Sequence, residues 1–146
     1  MTAPPRVDFY LLPGDAPAAR DLLCCRLAEK ACKMGHKVYL HAESEAHARR
    51  LDDLLWTFRA GSFLPHALLG DDPQPPPQVL IGSAGGATPP ARDVLINLAA
   101  DMPDFLDRFG RIAEIVDQSE GVKQAGRERF RRYREHGCQP ETHKLD

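Results

Sequence analysis

The strongest constraint on this chain is the alternation of strand-like and helix-like segments near its start. Residues 7–12 (VDFYLL) form an aromatic and aliphatic run that ends at Pro13-Gly14-Asp15, the pattern of a buried strand entering a turn. Leu23, Leu27, Ala31 and Met34 then recur at helical spacing until Gly35 supplies a stop, with Asp15 expected as the cap and Pro17 in the first turn. Residues 36–42 (HKVYLHA) predict a second strand, and Ser44 is placed to cap a second helix that carries Leu51, Leu54 and Leu55 up to Trp56. Parallel strands need crossover connections. This order therefore predicts an α/β fold with a mostly parallel central sheet flanked by helices.

Further along, residues 71–77 are a polar, proline-rich loop, residues 79–82 (VLIG) a short strand and residues 83–90 a small-residue loop. Residues 94–98 (VLINL) predict another strand, and residues 103–109 a short helix. Residues 111–116 (RIAEIV) alternate as a strand with one polar face, and residues 119–136 form the last helix, stopped by Gly137. A length of 146 residues with 42% apolar content matches one core. The expectation is one domain over residues 1–146, ordered from about 6 to 137, with a frayed tail over 138–146 and no internal repeat.

A strand-turn-helix start invites a nucleotide, yet the first turn (LPGDAPA) has neither GxGxxG nor GxxxxGKS/T. Asp15 stands where a phosphate would sit, and Pro17 removes a backbone donor. The fold is thus Rossmann-like without the nucleotide-binding motif, and no cofactor is implied. The loop holding Gly82, Gly85 and Gly86 runs into Pro89-Pro90 and a strand, so it is a plain connection, and Ser83 is not in a GxSxG elbow. The six histidines (36, 41, 47, 66, 136 and 143) show no metal-binding spacing and are expected at the surface or facing a partner. Asp52-Asp53 and Asp71-Asp72 are expected to be solvated charge rather than acid/base pairs. No metal site and no catalytic site follow. Cys24, Cys25, Cys32 and Cys138 form no CxxC and are expected as reduced thiols. No apolar run approaches the roughly 18 residues of a membrane span, and no secretory leader is evident. A soluble, cytoplasmic protein is expected.

Nineteen Lys and Arg against 21 Asp and Glu give a net charge of -2, which excludes globally charge-driven binding to nucleic acid. The balance is uneven along the chain: residues 1–118 hold 12 basic and 16 acidic side chains, residues 119–146 hold 7 and 5. At ~100° per residue, Arg134, Arg127 and Arg131 fall within about 80° of Lys123, while Phe130, Gly126, Tyr133 and Val122 fan out on the other side. Three readings are open. The apolar stripe packs on the sheet and the cations are solvated; or an aromatic wall beside arginines takes an acidic peptide with an apolar end; or cations and aromatics bind single-stranded nucleic acid. Glu120 within the basic stripe, and the acidic remainder of the chain, weigh against the last. A second aromatic cluster, Trp56 and Phe58 followed by Phe63, Pro65 and His66, fits either a core or a protein-binding patch.

The segments VDFYLL, LDDLLWTF followed by SFLPH, ARDVLINL and VKQAGRERFRRYR together resemble the chi subunit family of bacterial DNA polymerase III holoenzyme, in order and over nearly the whole chain. The resemblance implies a non-catalytic accessory subunit in DNA replication, with a nucleotide-binding-like fold that has lost its ligand. It would link the clamp loader, through the psi subunit, to single-stranded DNA-binding protein (SSB) by binding that protein's acidic C-terminal tail, which ends in phenylalanine. Carried over by position, the SSB-tail site comprises Lys123, Arg127, Phe130 and Arg131, lined by Val116. Arg127 would pair with the terminal carboxylate, Lys123 and Arg131 would attract acidic residues, and Phe130 would wall the pocket. Phe130 stands where the family often has tyrosine, which keeps the apolar wall and gives up a phenolic hydroxyl. The psi-facing patch would be Trp56, Phe63 and Pro65. DNA is reached only indirectly on this reading; direct single-stranded nucleic-acid binding through the basic helix is the alternative.

Overall fold

The computed structural model describes residues 3–61, 63–71 and 73–146, so the expected solvation of Asp72 lies outside the described residues. Strand β1 (Arg6–Leu11) leads into helix α1 (Pro17–Lys33), whose N-cap is Ala16 and makes no side-chain hydrogen bond. Asp15 does not cap it. The helix starts instead through Pro17, whose missing N–H is one of those a helix start leaves unpaired anyway. Gly35, at φ +87°, ends it in a conformation that side chains resist. Strand β2 (Val38–Ala42) follows, and Ser44 caps α2 (Glu45–Thr57) as expected, its hydroxyl accepting the His47 N–H at 3.1 Å.

The remaining elements are β3 (His66–Leu68), β4 (Val79–Ser83), β5 (Arg92–Asn97), β6 (Phe109–Val116), α3 (Glu120–Glu135) and β7 (Glu141–Lys144). Where a short helix was expected over 103–109, a single 3₁₀ turn spans Leu106–Arg108. The seven strands lie in the order β3-β4-β2-β5-β6-β1-β7, and every pairing is parallel. An all-parallel sheet needs both faces covered. Leu40, Ile81, Ile96 and Ile115 pack under α1 and α2 on one face; Phe9, Leu95, Ile112 and Val116 pack with Tyr133 of α3 on the other.

That burial corrects two expectations. Strand β6 has no solvated polar face, because its one acidic residue on the α3 side, Glu114, is itself fully buried. Residues 138–146 are not a frayed tail: β7 pairs with β1 from Asp8↔Glu141 to Leu11↔Lys144 and becomes the sheet edge.

The histidines are also less exposed than expected, since His41 and His47 are buried and the His66 side chain is fully screened from solvent. His47 accepts the Glu43 N–H on Nδ1, which leaves Nε2–H to donate to Asp21 at 2.8 Å and clamp α2 to α1. All four cysteines are free and buried. Burial pushes the Cys25 and Cys32 thiols up to about 12 and about 11, so both are packing groups rather than nucleophiles. No helix among the described residues is long and apolar enough to cross a membrane.

Candidate binding cleft

In parallel sheets, open space collects at the carboxyl ends of the strands. Here the chain leaving β1 at Leu12 and Pro13, the end of β6 at Val116, the side of α3 that carries Lys123, Gly126, Arg127 and Phe130, and the end of β7 enclose a cleft of about 660 Å³. Its lining is mostly apolar. The floor depends on close helix packing: an added Cβ at Gly126 would lie 2.8 Å from Cγ2 of Val116, so only glycine lets α3 settle this near β6. Phe130 forms the wall and is fixed from behind, its ring centroid 5.2 Å from that of buried Phe9.

Cations stand on the rim of this apolar trough. Lys123 and Arg127 reach it from α3, and Lys144 from β7. Among the described residues none of the three forms an ion pair, which leaves their charge available to an anion. Four of the five expected residues, Val116, Lys123, Arg127 and Phe130, thus meet in one cleft. Arg131 does not line it; its guanidinium is turned to Glu128, with both carboxylate oxygens at 2.6 Å.

Sequence reasoning missed the wall contributed by Thr142 and Lys144 of β7 and by Leu145 just after it. Buried Asp8 of β1 holds that strand in place, accepting from His143 Nε2 at 2.8 Å while Arg6 and Arg111 pair with its other oxygen at 3.3 and 3.2 Å. Glu141 completes an Asp8-Glu141-His143 group with ligand atoms within 4.8 Å of one another. The two arginines already neutralise Asp8, so this group works as a fastener.

A second missed feature anchors α3. Glu114 accepts from Arg129 Nε at 2.9 Å, from the Tyr133 hydroxyl at 2.6 Å and from Asn97 Nδ2 at 2.9 Å, while Arg129 Nη1 reaches the Ala100 carbonyl at 2.8 Å. Burial pushes the Glu114 carboxyl above the ordinary carboxylate range, and Arg129 opposes that push most strongly. A buried pair of this kind fixes the rotation of the helix. Lys123, Arg127 and Phe130 therefore face the cleft at one angle.

Away from the cleft, Trp56 and Phe63 are 66% and 87% exposed and Pro65 is exposed too, so these three are surface rather than core.

A family model described as DNA polymerase III chi subunit, HolC, matches residues 5–141. The chain belongs to this family. It is 44% identical over 140 residues to DNA polymerase III subunit chi of Pseudomonas aeruginosa, covering 96% of both chains. The chi subunit of Escherichia coli is 35% identical over 130 residues, with 86% of this chain and 88% of that one covered. Among solved structures, T4 UvsW and S. cerevisiae Dbp5 bound to RNA and ADP BeF3 superpose with TM-scores of 0.64 and 0.65 at 10% and 12% identity. Each superposition covers 97% of this chain but 42% of the other, and it shows a shared α/β fold alone. As a chi-family chain, the protein is an accessory subunit of DNA polymerase III and serves DNA replication.

Proposed function

We propose that the cleft between α3, β1 and β7 binds the acidic C-terminal tail of SSB, and that this contact couples the replicase to SSB-coated single strands. The observation that carries the reading is the placement of unpaired Lys123 and Arg127 beside the Phe130–Val116 trough. A terminal phenylalanine ring matches the trough, its carboxylate matches Arg127, and preceding acidic residues match Lys123. Arg131, held by Glu128, contributes through long-range attraction at most. Exposed Trp56, Phe63 and Pro65 are the surface for psi, which would tether the chain to the clamp loader. The same role places the protein in the cytoplasm, where replication takes place, and calls for neither a cofactor nor a metal.

Direct binding of single strands is disfavoured by the rings: of the two aromatics of α3, Tyr133 is buried and Phe130 alone lines the cleft, so the helix offers one ring rather than a series of stacking platforms for successive bases. Isothermal titration with an acidic peptide ending in Pro-Phe tests the main reading. One-to-one binding that weakens with salt and is lost in Arg127→Ala is expected; unchanged affinity in that variant would remove the site. Trp56→Ala should weaken psi binding and leave the peptide alone.

A further inference from the structure

His66 opens β3, and its side chain is wholly screened from solvent although Trp56, Phe63 and Pro65 around it are exposed. Its Nδ1 lies 2.7 Å from the Leu64 carbonyl oxygen and its Nε2 lies 3.0 Å from the Asp52 carbonyl oxygen. Both partners can only accept. A neutral imidazole has one N–H, so either neutral tautomer would press a nitrogen lone pair against a carbonyl oxygen at hydrogen-bond distance. The imidazolium has two N–H groups and satisfies both.

The surroundings suit a cation. The Asp52 carboxylate lies 3.4 Å from Nε2, and the Trp56 ring centroid is 4.7 Å from that of the imidazole, within cation–π range. Asp52 of α2 is the charged group facing the ring; Leu64 and Val79, its register partner on β4, carry none.

We propose that His66 is a doubly protonated clasp, with one N–H holding the segment that carries Phe63 and Pro65 and the other holding the turn of α2 that leads to Trp56. It is a positioning residue: its two N–H groups hold the aromatic face in register. Its consequence for docking rests on the reading of that face as the psi surface; the clasp itself does not.

Nitrogen-15 NMR of the His66 ring at neutral pH is the direct test. Two protonated ring nitrogens are expected, and the pattern of a single neutral tautomer would overturn the proposal. Trp56 is the single tryptophan of the chain, so its emission reports this contact specifically. Emission should be lower in the native chain than in His66→Gln folded by circular dichroism, because the imidazolium against the indole quenches it. Equal emission in the two folded chains would also overturn the clasp. Psi affinity should fall roughly three- to tenfold in His66→Gln, the weight of one lost hydrogen bond. Psi binding that is abolished by Trp56→Ala but equal in His66→Gln and the native chain would remove the clasp's part in docking and keep the surface. No psi binding at any pH, with a doubly protonated ring, would remove the docking reading and keep the clasp.

Discussion

Replacing Gly126 by alanine sets two effects of opposite sign against each other. In a helix interior, alanine is favoured over glycine by about 1 kcal/mol, so a solvent-facing position would gain stability. At Gly126 the new methyl would stand 2.8 Å from Cγ2 and 3.4 Å from Cγ1 of Val116. Val116 is buried and β-branched, so it has little rotamer freedom with which to retreat. Relief must come from α3 moving outward, and overpacking of this kind costs about 1–3 kcal/mol. The helix is pinned a turn later by Arg129 on Glu114, so the displacement concentrates at Lys123, Arg127 and the cleft floor. Gly126→Ala should thus be neutral to about 2 kcal/mol less stable in urea unfolding, and should bind the acidic Pro-Phe peptide several-fold more weakly. A variant about 1 kcal/mol more stable than the native chain, with undiminished peptide affinity, would refute the close-packing argument.

Arg129→Met should cost about 3–5 kcal/mol in thermal or urea unfolding, because it strands the buried Glu114 carboxylate, and adding Glu114→Gln should restore part of the loss. Lys144→Ala should weaken peptide binding in calorimetry and flatten its salt dependence, whereas Arg131→Ala should do little, since that cation is engaged by Glu128 outside the cleft. His41 is held by burial at about 4, below its ordinary 6.5, so the unfolded chain binds the extra proton. Stability should fall by up to about 3 kcal/mol as pH drops from about 6.5 through 4, and urea midpoints of His41→Asn should lack that slope.

The parts of this fold legible in sequence were those whose signal is local. The run over residues 7–12, the Ser44 cap and the two stripes of α3 each depend on neighbours within a few turns, and the structure keeps them where periodicity places them. Strand β7 has no such signal. Glu-Thr-His-Lys lacks apolar alternation, and its pairing is dictated by the edge of β1 and by Asp8, 135 positions away from His143. The same limit hid the role of Glu114 and Arg129, which look like ordinary surface charges until tertiary packing turns them toward each other. Four cleft residues could therefore be named from the helix wheel and the family likeness, while the β7 wall of the cleft could not.

Strand β7 borrows its place from a single neighbour. As a sheet edge it pairs with β1 alone, from Asp8↔Glu141 to Leu11↔Lys144, so it can open without breaking any other strand pairing. Opening it takes Thr142 and Lys144 away from the trough while Lys123, Arg127 and Phe130 stay in place on α3. The grip of the cleft is thereby tied to the local stability of a four-residue edge.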